Sequence, residues 1–164
     1  MTKDQNKICA LFVGKCWHEW KQTRWYVEYN QDNEYTCMLC GMVSTGITLD
    51  NPDYSLRGQD WWELWDRVTK DEKFFFRFKD FCSSKKGNHQ DMFLVRFVNN
   101  LRENVVAYLK YALDNGLHEE LFKMECPCPP EYKGDQEIDR VCPYCSGTGT
   151  IDTPLGRAVK ESSK

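Results

Sequence analysis

The sequence predicts an α+β protein in which two cysteine-bearing ribbons flank a central helix–β-hairpin–helix sandwich. Three observations predict it. Cysteines and one histidine fall into two similarly spaced sets toward the chain ends, a tryptophan-rich stretch carries helical spacing, and two apolar stretches alternate as strands do. The corresponding segments are an N-terminal ribbon over 1–50, a sandwich core over 51–124 and a C-terminal ribbon over 125–152. A tail over 153–164 has little apolar content and is expected to fray.

The totals narrow the classes. A chain of 164 residues suits one domain with appendages and a modest core. Mean hydropathy is -0.68, and no run approaches the ~18 apolar residues of a membrane span. No membrane partner is therefore expected. The apolar run over 8–13 is too short and too poorly flanked for a secretory signal. Nine cysteines, an odd number without such a signal, argue for reduced thiols in a cytoplasm and against a disulfide framework. The formal net charge of -3 gives no whole-molecule attraction to nucleic acid. The charge is uneven, however: residues 73–102 carry seven basic side chains against Asp80 and Asp91.

After the short apolar run comes Cys16-Trp17-His18, then eighteen residues, then Cys37-Met38-Leu39-Cys40-Gly41. A C-x-[C/H] knuckle facing a C-x-x-C knuckle supplies four soft or borderline ligands, the set a tetrahedral Zn²⁺ requires, and Gly41 suits the tight turn that follows. The sides of this ribbon fall to the β-prone residues 25–27 and 34–36. Cys9 is a rival to His18 as the fourth ligand.

Residues 50–55 form a turn-rich break, with Pro52 removing a donor and Ser55 able to cap a helix. Trp61, Leu64, Trp65 and Val68 then fall at i, i+3, i+4 and i+7, one face of a helix over 56–69 that packs into a core. Phe74, Phe76 and Phe78 alternate with Phe75, Arg77 and Lys79, which reads as a strand with an apolar and a largely basic side. A second strand over 92–98 places Phe93, Val95 and Phe97 on one side and Arg96 on the other. The polar residues 83–88 between them are turn chemistry, so the pair reads as a hairpin. Asn100 and Glu103 have the spacing of a capping box ahead of a helix through Leu101, Val105 and Ala112 that stops at Asn115-Gly116. A helical turn over 117–124 leads to the second cysteine set. Cys9 and Cys82 are left as buried or unassigned thiols.

That set is Cys126-Pro127-Cys128, thirteen residues, and Cys142-Pro143-Tyr144-Cys145-Ser146-Gly147-Thr148-Gly149. Four thiolates on two knuckles make a closed tetrahedral site, and Gly147 can turn backbone N–H groups toward the sulfur atoms. Two structural Zn²⁺ ions are thus expected, held by Cys16, His18, Cys37 and Cys40 and by Cys126, Cys128, Cys142 and Cys145. Cys142-Pro-Tyr-Cys145 also spells a redox dithiol, but the Ser-Gly-Thr-Gly that follows opposes the helix such a motif opens. No phosphate loop, nucleophile elbow or paired-histidine motif is present, so no catalytic residue is assigned and no enzymatic activity is expected.

Two resemblances add to this. The order of a Pro52-Asp53-Tyr54-Ser55 turn, a Trp-rich helix, a hairpin and a helix over 51–116 resembles small α/β sandwich domains of phage-encoded proteins of unknown function. The resemblance implies an accessory or host-defence-inhibiting factor that binds a host protein or complex in the host cytoplasm. Residues 142–149 resemble one copy of the C-x-x-C-x-G-x-G repeat of DnaJ-type zinc domains, which implies ligand roles for Cys142 and Cys145 and turn roles for the glycines. That family carries four such copies and this chain has one, so chaperone function does not carry over.

The expected function is a zinc-stabilised, non-enzymatic protein-interaction module. An alternative is nucleic-acid binding, in which Arg77, Lys79 and Arg96 on the hairpin and Trp20, Lys21 and Arg24 on the first ribbon track phosphates while aromatics stack on bases. A third is a small ligand bound between helices and sheet.

Overall fold

The computed structural model describes residues 3–24, 34–44, 51, 54, 60–84, 99–128 and 142–163. Among them the fold is α+β, with six helices and two small antiparallel sheets. Helix α1 (Lys3–Phe12) buries Ile8, Cys9, Ala10 and Phe12. It ends at Gly14, whose φ of 85° lets Lys15 N–H donate back to the Ala10 carbonyl at 2.8 Å. Strands β1 (Trp20–Arg24), β2 (Glu34–Cys37) and β3 (Val43–Ser44) form one sheet in that order, with Trp20 opposite Cys37 and Thr36 opposite Val43.

Helix α2 (Trp61–Lys70) carries the face its spacing predicts. Trp61, Leu64 and Val68 are buried, and Trp65 packs at the edge with its ring parallel to that of Trp61 at 5.9 Å. Residues 55–59, at the expected start of this helix, lie outside the described residues.

The predicted strand over 74–79 is instead part of helix α3 (Glu72–Ser84). Asp71 starts it: its carboxylate accepts from Phe74 N–H at 3.1 Å and its carbonyl from Phe75 N–H at 2.8 Å. Phe74 and Phe78, four residues apart, are buried, and Phe81 and Cys82 continue the same face, whereas Phe76 is 60% exposed. Period 2 and period 3.6 both place Phe74 and Phe78 on one side. The continuation through Phe81 and Cys82 selects the helix. The central hairpin is therefore overturned in its first strand, and its second, over 92–98, lies outside the described residues.

Helix α4 (Leu101–Asp114) is the central post, burying Leu101, Val105, Val106, Tyr108, Leu109 and Ala112. Asn100 occupies the N-cap position without a side-chain capping bond, and Glu103 turns to Arg102 at 2.6 Å in place of the expected capping box. The C-terminus closes at Gly116, φ 63°, with Leu117 N–H donating to the Ala112 carbonyl at 2.8 Å. A short α5 (Glu119–Phe122) runs into β4 (Lys123–Glu125), which pairs antiparallel with β5 (Thr150–Asp152).

The tail does not fray over its helical part. Residues Pro154–Glu161 form α6, with Pro154 in the first turn and Thr153 as N-cap. The Thr153 hydroxyl accepts from Gly156 N–H at 3.0 Å and donates to the Leu121 carbonyl at 2.7 Å. Leu155, Gly156, Ala158 and Val159 are buried against α1, α4 and α5. At Gly156 the helix passes so close to α5 that a Cβ there would overlap the Phe122 carbonyl. One apolar cluster thus draws on α1, Trp17 and all the later helices, including residues assigned by sequence to the N-terminal ribbon and the tail. Among the described residues no helix is long and apolar enough to cross a membrane.

Inside this cluster Tyr108 meets His118, whose Nε2 lies 2.9 Å from the phenol oxygen. His118 adopts φ 54° and its side chain is 7% exposed, against the rings of Phe74 and Tyr108. Burial holds the imidazole below its ordinary pKa, with Glu120 and Asp71 opposing and Arg77 assisting. Burial also pushes the Tyr108 phenol up to about 12, so a protonated hydroxyl shares this hydrogen bond with a neutral imidazole.

Two outcomes follow. Gly156→Ala should lower unfolding free energy by about 1–3 kcal/mol in denaturant titration, because only backbone movement of α5 or α6 can relieve the overlap. For His118, the unfolded chain takes up its proton first as pH falls. Its contribution is complete above the ordinary histidine value of about 6.5 and is lost as pH falls from there toward the folded value. His118→Gln should flatten the fall in denaturation midpoint between roughly pH 7.5 and 5.5; an unchanged slope would remove the role.

Candidate metal centres

The first centre is assembled at the end of the β1–β2–β3 sheet. Cys37 closes β2, and the turn after it is fixed by two bonds: Gly41 N–H to the Cys37 carbonyl at 2.9 Å and Cys37 N–H to the Met42 carbonyl at 2.8 Å. Gly41 takes φ 73°, the conformation that lets the chain reverse. Cys16 and His18 approach from the segment between α1 and β1, where Trp17, 5% exposed, is sunk into the helical core between them. Lys15, one residue earlier, reaches Asp60 at 3.3 Å and Glu63 at 2.5 Å at the start of α2. Such partly exposed ion pairs contribute little, so the buried indole is the main anchor of this knuckle.

Cys16 and Cys37 sulfur atoms are 3.7 Å apart, and Cys40 Sγ lies 3.7 Å from His18 Nδ1. All four ligand atoms fall within 4.8 Å of one another. A zinc ion with sulfur ligands at about 2.3 Å and nitrogen at about 2.0 Å gives tetrahedral edges of about 3.8 and about 3.5 Å. The set therefore has the size of a four-coordinate site. His18 is held by its neighbours: Asn51 Oδ1 accepts from His18 N–H at 2.8 Å, Asn51 Nδ2 donates to the His18 carbonyl at 3.3 Å, and the imidazole stacks on Trp20 at 5.0 Å.

The second centre lies just beyond the Glu125–Thr150 end of the β4–β5 pair, within the connection between the two strands. Cys126 follows β4 and donates its N–H to the Gly149 carbonyl at 2.9 Å, extending the ladder by one rung. The opposite knuckle is a compact turn, with Ser146 N–H to the Cys142 carbonyl at 2.8 Å and Thr148 N–H to the Cys145 carbonyl at 2.9 Å. Positive φ at Ser146, Gly147 and Gly149 makes the turn possible. Sulfur separations are 3.8 Å for Cys126 and Cys142 and 3.6 Å for Cys128 and Cys145, again the edges of a zinc-sized tetrahedron. Cys126, Cys142 and Cys145 are buried, and Ile151 packs on them.

Each set crowds thiols whose ionisations oppose one another. Burial pushes the Cys37 thiol up, but N–H groups of Cys40 and Leu39, the His18 imidazole and the Glu19 N–H outweigh it and bring it down to about 6. Burial and the bonds it gives to Cys40 and Cys37 push Cys16 up to about 12. In the second set burial likewise raises Cys145, while the Gly149 N–H, the Cys128 thiol and the Gly147 N–H bring it down to about 7; Cys126 is pushed up, first by burial. A thiolate at Cys37 opposes ionisation of Cys16, and one at Cys145 that of Cys126, which a divalent cation among the four would reverse.

The structure thus brings together all eight residues expected as ligands, in two groups that could each hold one metal ion. Cys9, the rival to His18, stands apart: it is fully buried in the core and its thiol is pushed up by burial. Of the residues grouped for nucleic-acid contact, only Arg77 and Lys79 share a helix among the described residues, with faces to compare. Arg77 and Lys79 are exposed on α3, two residues apart and so on different sides of a helix, Trp20 is occupied by His18, Lys21 and Arg24 lie on β1, and Arg96 is outside the described residues. Asn51 was not singled out from sequence. An amide just before Pro52, fourteen residues from the Cys37 knuckle's start, offers only a turn signal.

The chain matches no protein-family model, curated protein or solved structure. Its fold and centres define it as a small α+β protein with one Cys₃His and one Cys₄ group of metal-ligand geometry.

Proposed function

We propose that the protein is a non-enzymatic, zinc-stabilised module that binds another protein. The observation that carries the metal part is the pair of four-ligand groups with tetrahedral edge lengths, both closed by four protein ligands. Structural zinc contributes ~10–16 kcal/mol of apparent binding free energy in small domains, more than the net stability of most folds. The partner class rests on the first centre's turn. It presents Met38, Leu39, Met42 and Val43 to solvent within six residues, a cluster of large apolar side chains on a rigid metal-held loop. Metal fixation lowers the entropy cost of ordering such a loop on a partner.

Elemental analysis of the purified protein should give two zinc ions per chain; one or none overturns the metal reading. With zinc content retained, Met38→Asp combined with Met42→Asp should weaken binding to a protein partner recovered with the wild type by about tenfold or more, as loss of an apolar hot spot does. Retention on DNA or RNA that weakens steeply with salt and is unaffected by that pair would replace the protein partner by a nucleic acid.

A further inference from the structure

The two centres differ in one respect that bears on chemistry. In the second, Cys126, Cys142 and Cys145 are buried and Cys128 is half-buried. In the first, Cys37 is the protected sulfur: it is 1% exposed and accepts from Leu39 N–H at 3.4 Å. Cys40 is exposed, and among the described residues no backbone N–H donates to its sulfur. Hydrogen bonds to a thiolate withdraw charge from it, so the least bonded and most exposed sulfur of a cluster is its best nucleophile.

Cys40 also faces a space that can admit a reagent. A cleft of about 480 Å³ lies between the first centre and the helical body, with Cys16 and Cys40 on one wall and Leu11, Leu39, Leu121 and Leu155 among its other lining residues. Cys16 and Cys40 line this cleft, whereas Cys37, 1% exposed, does not. Cys16 and Cys40 ligand atoms are within 4.8 Å, close enough for a disulfide to form once the side chains move together.

We propose that the first centre is a thiol-modification site, at which a small two-electron oxidant of the peroxide class entering this cleft converts Cys40 and Cys16 into a disulfide while the second centre stays intact. The Cys40 thiolate attacks a peroxide oxygen. The O–O bond breaks, the departing hydroxide takes a proton to become water, and Cys40 carries a sulfenic acid. The Cys16 thiolate then attacks that sulfur, the S–S bond forms, the S–O bond breaks, and the hydroxide leaves as a second water after protonation. Two thiolates lose two electrons and the peroxide, with two protons, becomes two waters. The ligand set falls from four to the Cys37 and His18 pair, too few for a closed site. The sheet of β1, β2 and β3 loses its clamp, whereas the helical core and the β4–β5 hairpin keep theirs.

The inference rests on the zinc reading of the first centre for metal release, but not for the identity of the oxidised pair. The experiment treats the metal-loaded protein with hydrogen peroxide, follows free zinc with a colorimetric indicator, and maps disulfides by mass spectrometry of alkylated peptides. Expected is the loss of about one zinc per chain with a Cys16–Cys40 disulfide, the second zinc being held at least tenfold longer, and recovery on reduction with zinc restored. A Cys82→Ser variant, which removes a half-buried thiol outside both centres, should behave identically. Simultaneous loss of both ions, first oxidation within Cys126, Cys128, Cys142 and Cys145, or a first disulfide through Cys37 or Cys82 would overturn the proposal. Fewer than two zinc ions before treatment would instead count against the metal reading, with the Cys16–Cys40 disulfide still deciding the oxidation site.

Discussion

Convergence of four ligand atoms within 4.8 Å, once at each sheet, is the constraint on which the irregular half of this molecule depends. The sheets themselves are slight. Strand β3 has two residues, and β4 and β5 have three each. Strands this short, carrying at most a few buried side chains, do not hold together unaided in water. What holds each sheet is the knuckle at its end, where turns with positive φ aim sulfur atoms at a common point. Without a cation these groups repel as they ionise, so the same geometry that makes a ligand set makes an unfavourable cluster of thiolates.

The helical half follows a different logic, that of one apolar cluster assembled from pieces distant in sequence. Helix α4 supplies six buried positions and touches α1, α3 and α6. The joints between the halves are specific. Trp17 lies between two residues of the first centre and is itself part of the core, and Thr153 sits between β5 and α6 with its hydroxyl bonded to both α6 and α5. The first centre is therefore one residue from a core side chain, and the second is joined to the core through β4 and β5.

Legibility from sequence divided along physical lines. Ligand knuckles were readable because C-x-C and C-x-x-C spacing is short-range chemistry, independent of what the rest of the chain does. The face of α2 was readable because Trp61, Leu64 and Val68 repeat over two turns. Helix α3 was misread because Phe74 and Phe78 satisfy both periods, Phe76 between them completes a strand alternation, and the distinguishing Phe81 and Cys82 lie just past the window. Helix α6 was missed for another reason: Gly156 and Ala158 contribute almost nothing to hydropathy, yet small side chains are what allow close approach to α5. The cap at Thr153, followed by Pro154, was the available signal. Asn51 could not be found at all from spacing, since its two bonds to His18 bridge thirty-three positions.

The packing of α6 against α1 carries a consequence for how the chain reaches its fold. Helix α1, with Ile8, Cys9, Ala10 and Phe12 on one side, leaves the ribosome well before Leu155, Ala158 and Val159 are made. The part of α1 that packs on α6 stays uncovered until α6 has been made. Contacts of such long sequence separation slow folding and prolong exposure to aggregation. The second centre, by fixing the strand that leads into α6, shortens the search that ends this exposure.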